Sequence, residues 1–342
     1  MIVREPIVAG RFYPDDPQQC QRLAQQLFAE AAGAFDDPAG PAKDLPKKIV
    51  GGIVPHAGWV FSGEPAARTL EAIARGRSYP QISQMTQIET KQEREEKKED
   101  EEDVQKQKEI ESVKSAQSAD KPPTFILLGA MHRARGSHGL IFDRGLWRTP
   151  LGDIEIDERL AQQLLDNSNL LVADPAAHGL EHSIEVQIPL IQMRFPGARI
   201  VPILTPPVAL AEQVGLAVGR TLEIFGVDAV VLGSTDLTHY GPGYGFVPQG
   251  AGPAGLRWAK EVNDAGLLDA VVRLDGAAAI EQSNSHQNAC GGGAVAATLA
   301  AAKKLGATRG VVLEHVTSYE VMLAKFGQRS DDAVGYLSAV LG

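Results

Sequence analysis

The central stretch of this chain reads Ala289-Cys290-Gly291-Gly292-Gly293-Ala294 and continues into the alanine-rich segment 295–304. It predicts a helix with a cysteine at its N-terminus. The unpaired N–H groups and the partial positive charge of a helix N-terminus favour thiolate over thiol, and the glycines leave the sulfur uncovered. The alternative interpretation of Cys290 is a buried free cysteine that packs as a small apolar side chain. The histidines elsewhere in the chain favour the reactive interpretation.

Three histidines occupy equivalent positions, each a few residues after an apolar run that predicts a buried strand. They are His56 after the run 48–54, His132 after 124–128 and His239 after 228–232. In an open α/β sheet the carboxyl ends of the strands share one edge, and ligands bind in the crevice outside it. The sequence therefore predicts that three imidazoles meet at one sheet edge and that Cys290 completes the set.

Imidazole and thiolate donors together suit iron, copper or zinc, and they do not suit magnesium or calcium. Three protein ligands with an open coordination position are typical of a catalytic or exchangeable metal site. The pattern thus predicts a shared transition-metal site at the strand-end edge. For any one histidine the alternative is a surface or hydrogen-bonded loop side chain, an interpretation that applies well to His138 and His315.

Other polar residues flank these candidates. His178 and His182 are four residues apart, with Glu185 one further turn along, but the order differs from the His-Glu-x-x-His of metalloproteases. We expect His182 or Glu185 to pair with a metal ligand rather than to bind the metal directly. Asp236 precedes His239 by three residues, where it either orients the imidazole or caps the next turn.

Apolar runs that predict strands alternate along the chain with segments that predict helices. This alternation is typical of an α/β fold, in which a layered sheet of parallel or mixed strands is flanked by helices. We expect a single domain over residues 1–342, interrupted at 79–123 by a charged insertion. Between Pro80 and Pro123 there are 12 Asp or Glu, 8 Lys or Arg and no aromatic residue, which predicts a solvated helix or a disordered segment.

Composition excludes several classes of protein. The formal net charge is −10 and no basic stripe offsets it, which argues against binding to nucleic acid or to an anionic membrane. No run of about 18 apolar residues predicts a transmembrane helix, and the N-terminus lacks the pattern of a secretory signal. The two cysteines, Cys20 and Cys290, cannot form a disulfide framework. We therefore expect a cytoplasmic protein in a reducing compartment.

Seven motifs occur in order along the chain. They are Ala9-Gly-Arg-Phe-Tyr-Pro14, Pro55-His-Ala-Gly58, Leu128-Gly-Ala-Met-His132, Trp147-Arg-Thr-Pro-Leu-Gly152, Glu181-His-Ser-Ile-Glu-Val-Gln187, Ser234-Thr-Asp-Leu-Thr-His-Tyr240 and Cys290-Gly-Gly-Gly293. This ordered set resembles the Memo family, whose bacterial and archaeal members are called AmmeMemoRadiSam system protein B. The motifs span nearly the whole chain except the charged insertion, and the ordered set is far more specific than any single motif.

The resemblance implies a fold similar to that of the class III extradiol dioxygenases, which hold non-haem ferrous iron. By this resemblance His56, His132 and Cys290 match the metal ligands. His239 matches the acid/base histidine of the dioxygenases, with Asp236 beside it. Those dioxygenases have a carboxylate where the family has this cysteine, so ring-cleaving activity does not follow automatically.

The chain departs from the family pattern at two places. Gly129-Ala-Met-His132 stands where the family usually has Gly-Pro-Asn-His, which makes the loop that carries this histidine less rigid. Gly292 stands where the family usually has an arginine, which removes a candidate anion-binding guanidinium.

Three functions fit these residues. The leading one is a metal-dependent redox protein with Fe²⁺, or else copper, an open position for O₂ or a substrate, and His239 moving a proton. The second is a non-enzymatic module that stores a metal or binds a small molecule or peptide in the strand-end crevice. Its anchors would be Tyr13, Trp59 and Tyr240. The third is a zinc hydrolase on the same ligands. His286 is expected only in the surroundings of the site.

Overall fold

The computed structural model describes residues 2–37, 40–77 and 122–342, and its framework is a large mixed sheet. The strands are β1 (Val3–Arg4), β2 (Gly51–Val54), β3 (Thr124–Ala130), β4 (Gly139–Ile141), β5 (Leu146–Thr149), β6 (Gly152–Glu155), β7 (Leu171–Ala173), β8 (Arg199–Thr205), β9 (Ala229–Ser234), β10 (Asp236–Tyr240), β11 (Gly310–Thr317) and β12 (Ala333–Leu341). The helices are α1 (Pro17–Asp36), α2 (Trp59–Gly76), α3 (Glu158–Asp166), α4 (Ile188–Arg194), α5 (Leu210–Phe225), α6 (Pro253–Trp258), α7 (Asp264–Val272), α8 (Gly276–His286), α9 (Gly292–Lys304) and α10 (Ser318–Phe326).

Four parallel strands form the centre of the large sheet, in the order β2, β9, β3 and β8. Strand β12 pairs antiparallel with β2, β10 and β11. On the other side β4 pairs antiparallel with β8, and β7 pairs with β4. A smaller sheet has the order β1-β5-β6. The predicted α/β fold, a layered sheet of mixed strands with flanking helices, is confirmed, and the carboxyl ends of the central strands share one edge.

Helices cover both faces of the sheet. All seven residues of β3 are buried, and its alternate side chains join different apolar clusters. Phe125 and Leu127 pack with residues of α1, α2 and α4, whereas Ile126 and Leu128 pack with residues of α5 and α9. Successive side chains of a strand point to opposite faces, so β3 lies in the middle of three layers. Burial on both faces explains why the central strands read as nearly continuous apolar runs.

Helix α9 packs very close to α5 and to the sheet because its side chains are small. A Cβ atom on Gly215 of α5 would lie 2.0 Å from the main-chain oxygen of Ala297, and one on Gly233 of β9 would lie 2.4 Å from Oγ1 of Thr298. Neither position leaves room for a side chain, so glycine permits the approach. The alanine-rich sequence thereby determines where the start of α9, with Cys290 before it, meets the edge of the sheet.

Two segments differ from their predicted structure. Residues 236–240, which follow the predicted strand 228–232, form a further strand, β10, which pairs antiparallel with β12. The segment around Glu185, where the spacing from His182 suggested a continuous helix, forms a 3-10 turn over Glu185–Gln187 followed by α4. Pro189 lies in the first turn of α4, where its missing N–H costs no hydrogen bond, so the regular helix begins only there.

Two further expectations concern the charged insertion and the membrane. The predicted insertion at 79–123 lies outside the described residues, apart from Pro122 and Pro123. Of the helices that the structure describes, none combines the length and the apolar character needed to cross a membrane.

His178 lies in a 3-10 segment and therefore does not share a helical face with His182. It is fully buried, its Nε2–H donates to the main-chain oxygen of Leu140 over 3.0 Å, and its ring contacts Phe142 and Trp147 edge-on. Burial lowers the pKa of His178 to about 4, against an ordinary value of 6.5. The imidazole is thus neutral in the folded protein at pH values where it is charged in the unfolded chain.

We predict that His178 makes the stability of the fold depend on pH between 6.5 and about 4. Because the unfolded chain binds the extra proton in this window, the free energy of unfolding decreases as the pH falls through it. Each pH unit between the two pKa values corresponds to about 1.4 kcal/mol, so the full loss is on the order of 3 kcal/mol. Urea unfolding at pH 7, 5.5 and 4 measures it. The variant His178→Gln should lose less stability than the wild type over this range, and the exposed-site variant His138→Gln should lose as much. Equal losses in all three proteins would contradict the assignment.

Candidate metal centre

Three histidines meet at the carboxyl edge of the central strands. His56 follows β2 by two residues, His132 follows β3 by two residues, and His182 lies between two 3-10 turns. The ligand nitrogens of the three rings all lie within 4.8 Å of one another. The ring centroids are between 5.0 and 5.4 Å apart. Three imidazoles this close to one another can bind a single metal ion.

Cys290 lies against this group, as the sequence predicts. Its Sγ is 3.1 Å from Nε2 of His56, and His132 also hydrogen-bonds to it. Two hydrogen bonds with the main chain of Asp236 hold the cysteine in place: the N–H of Cys290 donates to the carbonyl oxygen of Asp236 over 3.2 Å, and the N–H of Asp236 donates back to Sγ of Cys290 over 3.3 Å. The segment before α9 is thereby attached to the first residue of β10, next to the histidines.

The protonation state of Cys290 differs from the expectation based on the helix N-terminus. Burial raises the pKa of the thiol above its ordinary value, and the hydrogen bond from His132 only partly offsets this. In the absence of a cation the sulfur is therefore a thiol at neutral pH. A bound metal ion deprotonates a coordinating thiol, so this sulfur would become a thiolate on coordinating a cation and is not a free nucleophile without one.

Glu181 lies in the site, although the sequence analysis did not single it out. One carboxylate oxygen accepts Nδ1–H of His132 over 3.0 Å and the N–H of Ser183 over 2.8 Å, and the other accepts the N–H of His132 over 3.0 Å. Burial opposes ionisation of Glu181, but the hydrogen bonds from His132 outweigh it and hold the pKa of the carboxyl well below its usual range. Burial likewise opposes the charge on His132, and hydrogen bonds to Cys290 and Glu181 outweigh it and raise the pKa of His132 to about 10.

His182 is closer to the centre than predicted. It was expected to pair with a ligand, whereas the structure places its ring in the group of three. The ring stacks on His132, and Nδ1 lies 3.6 Å from a carboxylate oxygen of Glu181. Burial lowers the pKa of His182, so the imidazole is neutral at physiological pH and can bind a metal.

His239 and Asp236 make hydrogen bonds to different partners. The Nδ1–H of His239 donates to the carbonyl oxygen of Leu237 over 3.0 Å, which leaves Nε2 as a proton acceptor. Burial lowers the pKa of His239. The carboxylate of Asp236 does not orient His239; it accepts the N–H of His56 over 2.7 Å and the N–H of Ala57. Burial raises the pKa of Asp236 to about 7 in spite of these two hydrogen bonds.

The three predicted aromatic anchors lie in the core. Tyr13, Trp59 and Tyr240 are at most 3% exposed. Their polar atoms donate to Glu185, to the carbonyl oxygen of Val186 and to that of Gly250, respectively. They therefore pack in the interior instead of offering a face to a ligand. His286 is an exposed residue at the end of α8, and the structure does not place it in the group of histidines.

Glu185 binds the N-terminal segment rather than a candidate metal ligand, in contrast to its predicted pairing. Its carboxylate accepts Arg4 Nη1 over 2.5 Å, the N–H groups of Ile7 and Val8, and the hydroxyl of Tyr13. The same guanidinium donates to the carbonyl oxygen of Glu181 over 2.7 Å. This buried ion pair therefore connects the N-terminal segment to the segment that carries His182.

Comparisons of the chain with a family model and with individual proteins point to the same family. The family model described as Memo-like protein matches residues 108–340. A MEMO1 family protein of Pyrococcus furiosus is 31% identical over 350 aligned residues, with 99% of each chain covered. Similar proteins of the same description occur in Thermococcus onnurineus, 32% identical with 99% of each chain covered, and in Methanopyrus kandleri, 30% identical with 93% covered.

We predict that Arg4→Met strongly destabilises the fold, because it leaves the Glu185 carboxylate buried without its cationic partner. The expected loss in the free energy of unfolding is about 3–5 kcal/mol, measured by urea denaturation at pH 7. The matched control is Arg148→Met, which removes an exposed guanidinium paired with Glu5 and Asp153 and should leave the stability nearly unchanged. Similar stabilities of the two variants would show that the buried pair does not hold the N-terminal segment.

Proposed function

The chain belongs to the Memo-like protein family, and on that basis we propose that it is a metal-dependent redox protein whose metal is Fe²⁺ or, as the second choice, copper. The metal would be held by His56, His132 and Cys290, with His182 as a further imidazole beside them. The observation that carries the proposal is the distance of 3.1 Å between Sγ of Cys290 and Nε2 of His56, next to a group of three histidines.

The donor set suits a transition metal. Imidazole and thiolate bind iron, copper and zinc, whereas magnesium and calcium prefer oxygen ligands. The carboxylate of Glu181 is already engaged by His132 and Ser183, so it supports the ring instead of adding an oxygen ligand. When bound, iron or copper would supply one-electron redox chemistry and an open coordination position, with thiolate donation raising the electron density on the metal.

His239 would accept a proton from the substrate. Its Nδ1–H is held by Leu237, so Nε2 is available, and the lowered pKa keeps the ring neutral near pH 7. The ring of Tyr244, which is half exposed, lies edge-on to His239 with its centroid 5.2 Å away. An aromatic side chain reachable from solvent beside the proton acceptor is a suitable contact for an organic substrate.

Two other functions are compatible with parts of this site. A zinc hydrolase would use the same ligands, and the identity of the metal distinguishes it from a redox protein. A peptide-binding module has less support, because the three aromatic residues proposed as its anchors are buried. We also propose that the fold is similar to that of the class III extradiol dioxygenases. The position of the site at the carboxyl ends of parallel strands supports this.

We predict that the full-length protein, purified without added metal, contains close to one equivalent of iron or copper per chain. Elemental analysis by mass spectrometry measures this. His132→Ala should remove most of the metal, because it deletes a donor, and His138→Ala should retain it. Zinc alone at full occupancy would favour the hydrolase. Failure of the metal-free protein to bind iron, copper or zinc would refute the metal site itself.

We predict that Cys290→Ala lowers both the iron content and the consumption of O₂ in the presence of a catechol as reductant, because the thiolate is proposed as a ligand. An oxygen electrode and elemental analysis measure the two quantities. The control is Cys20→Ala, which removes the buried thiol of α1 and should change neither. A Cys290→Ala variant that keeps full iron content and unchanged O₂ consumption would rule out the proposed role of the thiolate.

A further inference from the structure

Each histidine of the metal centre can present either of two ring nitrogens. A neutral imidazole carries its proton on one nitrogen, and only the other nitrogen is free to bind a metal. The hydrogen bond made by one nitrogen therefore determines which nitrogen faces the site. For His56 and His132 the described contacts identify the partner of Nδ1.

The partner of His56 Nδ1 is the hydroxyl of Ser234, with Nδ1 2.8 Å from Oγ. Ser234 has one hydroxyl proton, and it donates this proton to the carbonyl oxygen of Ser183 over 2.7 Å. Its oxygen is thus left to accept, which makes Nδ1 of His56 the donor and leaves Nε2 unprotonated. That Nε2 is the nitrogen that lies 3.1 Å from Sγ of Cys290. All of these groups except the sulfur belong to residues less than 4% exposed.

The partner of His132 Nδ1 is the carboxylate of Glu181. A carboxylate only accepts hydrogen bonds, so His132 keeps a proton on Nδ1 whatever the charge of the ring. Any proton displaced from this imidazole by a cation then comes from Nε2. Glu181 itself is fixed by the N–H groups of His132 and Ser183. The short segment 181–183 therefore orients both rings, one through a side chain and the other through a main-chain oxygen.

We propose that Ser234 and Glu181 are positioning residues that hold Nδ1 of His56 and His132 protonated, so that Nε2 of each ring faces the metal site before a metal arrives. The inference rests on the proposed function in one respect, namely that the oriented nitrogens serve to bind a metal. Its claim about the tautomer of His56, however, concerns the metal-free protein, so the two can fail separately.

The tautomer of His56 is measured by long-range ¹H–¹⁵N correlation spectra of the full-length, chelator-treated protein labelled with ¹⁵N-histidine. The His56 signals are assigned by their loss in His56→Gln. We expect a pyrrole-type Nδ1 and a pyridine-type Nε2. Ser234→Ala should abolish this pattern or mix it with the other tautomer, and Ser234→Thr, which retains the hydroxyl, should restore it. Ser338→Ala removes another buried strand hydroxyl, bonded to Thr69, and should leave the His56 pattern unchanged.

The consequence for binding is measured by titration of the same proteins with Co²⁺. Ser234→Ala and Glu181→Gln should weaken the affinity by roughly 10- to 100-fold, while Ser338→Ala should match the wild type. A protonated Nε2 in wild-type His56, or an unchanged His56 pattern in Ser234→Ala, would overturn the inference. The expected tautomer in a protein that binds no metal would support the positioning role and refute the proposed function.

Discussion

Reciprocal hydrogen bonds between Asp236 and Cys290 join the two halves of the site. The main chain of Asp236 accepts from and donates to Cys290, and its carboxylate accepts the N–H of His56. One residue, the first of β10, therefore fixes both the segment before α9 and the loop after β2. This connection requires α9 to lie almost in contact with the sheet, which Gly215 and Gly233 permit by having no side chain. The geometry of the donors thus depends on the smallest residues of the core.

The site places ionisable groups where they are largely removed from water and gives them specific hydrogen-bond partners. Burial alone would neutralise every group, and it does so for His56, whose pKa is lowered, and for Cys290, whose pKa is raised. His132 and Glu181 form the exception, because they hydrogen-bond to each other and remain charged. Glu181 is buried, and its pairing with the more exposed His132 offsets the cost of burying a carboxylate. A divalent cation would replace protons on the thiol and the imidazole, so the polar interior matches a cationic ligand.

The sequence predicted the sheet and two of its histidines well because both follow from simple periodicity. Apolar runs marked the central strands, and His56 and His132 follow strands whose shared direction places them together. The position of His182 was less predictable, because a spacing of four residues from His178 suggested a helical face that the 3-10 turns remove. Glu181 was missed because its role depends on a partner 49 residues away in sequence, which no local pattern encodes. Strand β10 was missed because its flanking glycines resemble a loop.

The pairing of β12 has a consequence for how the chain folds. Leu341 of β12 pairs with Gly51 of β2, and the same strand pairs with β10 and β11. Contacts between residues so far apart along the chain raise the contact order, and a high contact order is associated with slow folding. During synthesis on a ribosome, one edge of β2 stays unpaired until β12 has been synthesised. The loop that carries His56 therefore follows a strand whose second edge can be paired only after all the proposed donors have been synthesised.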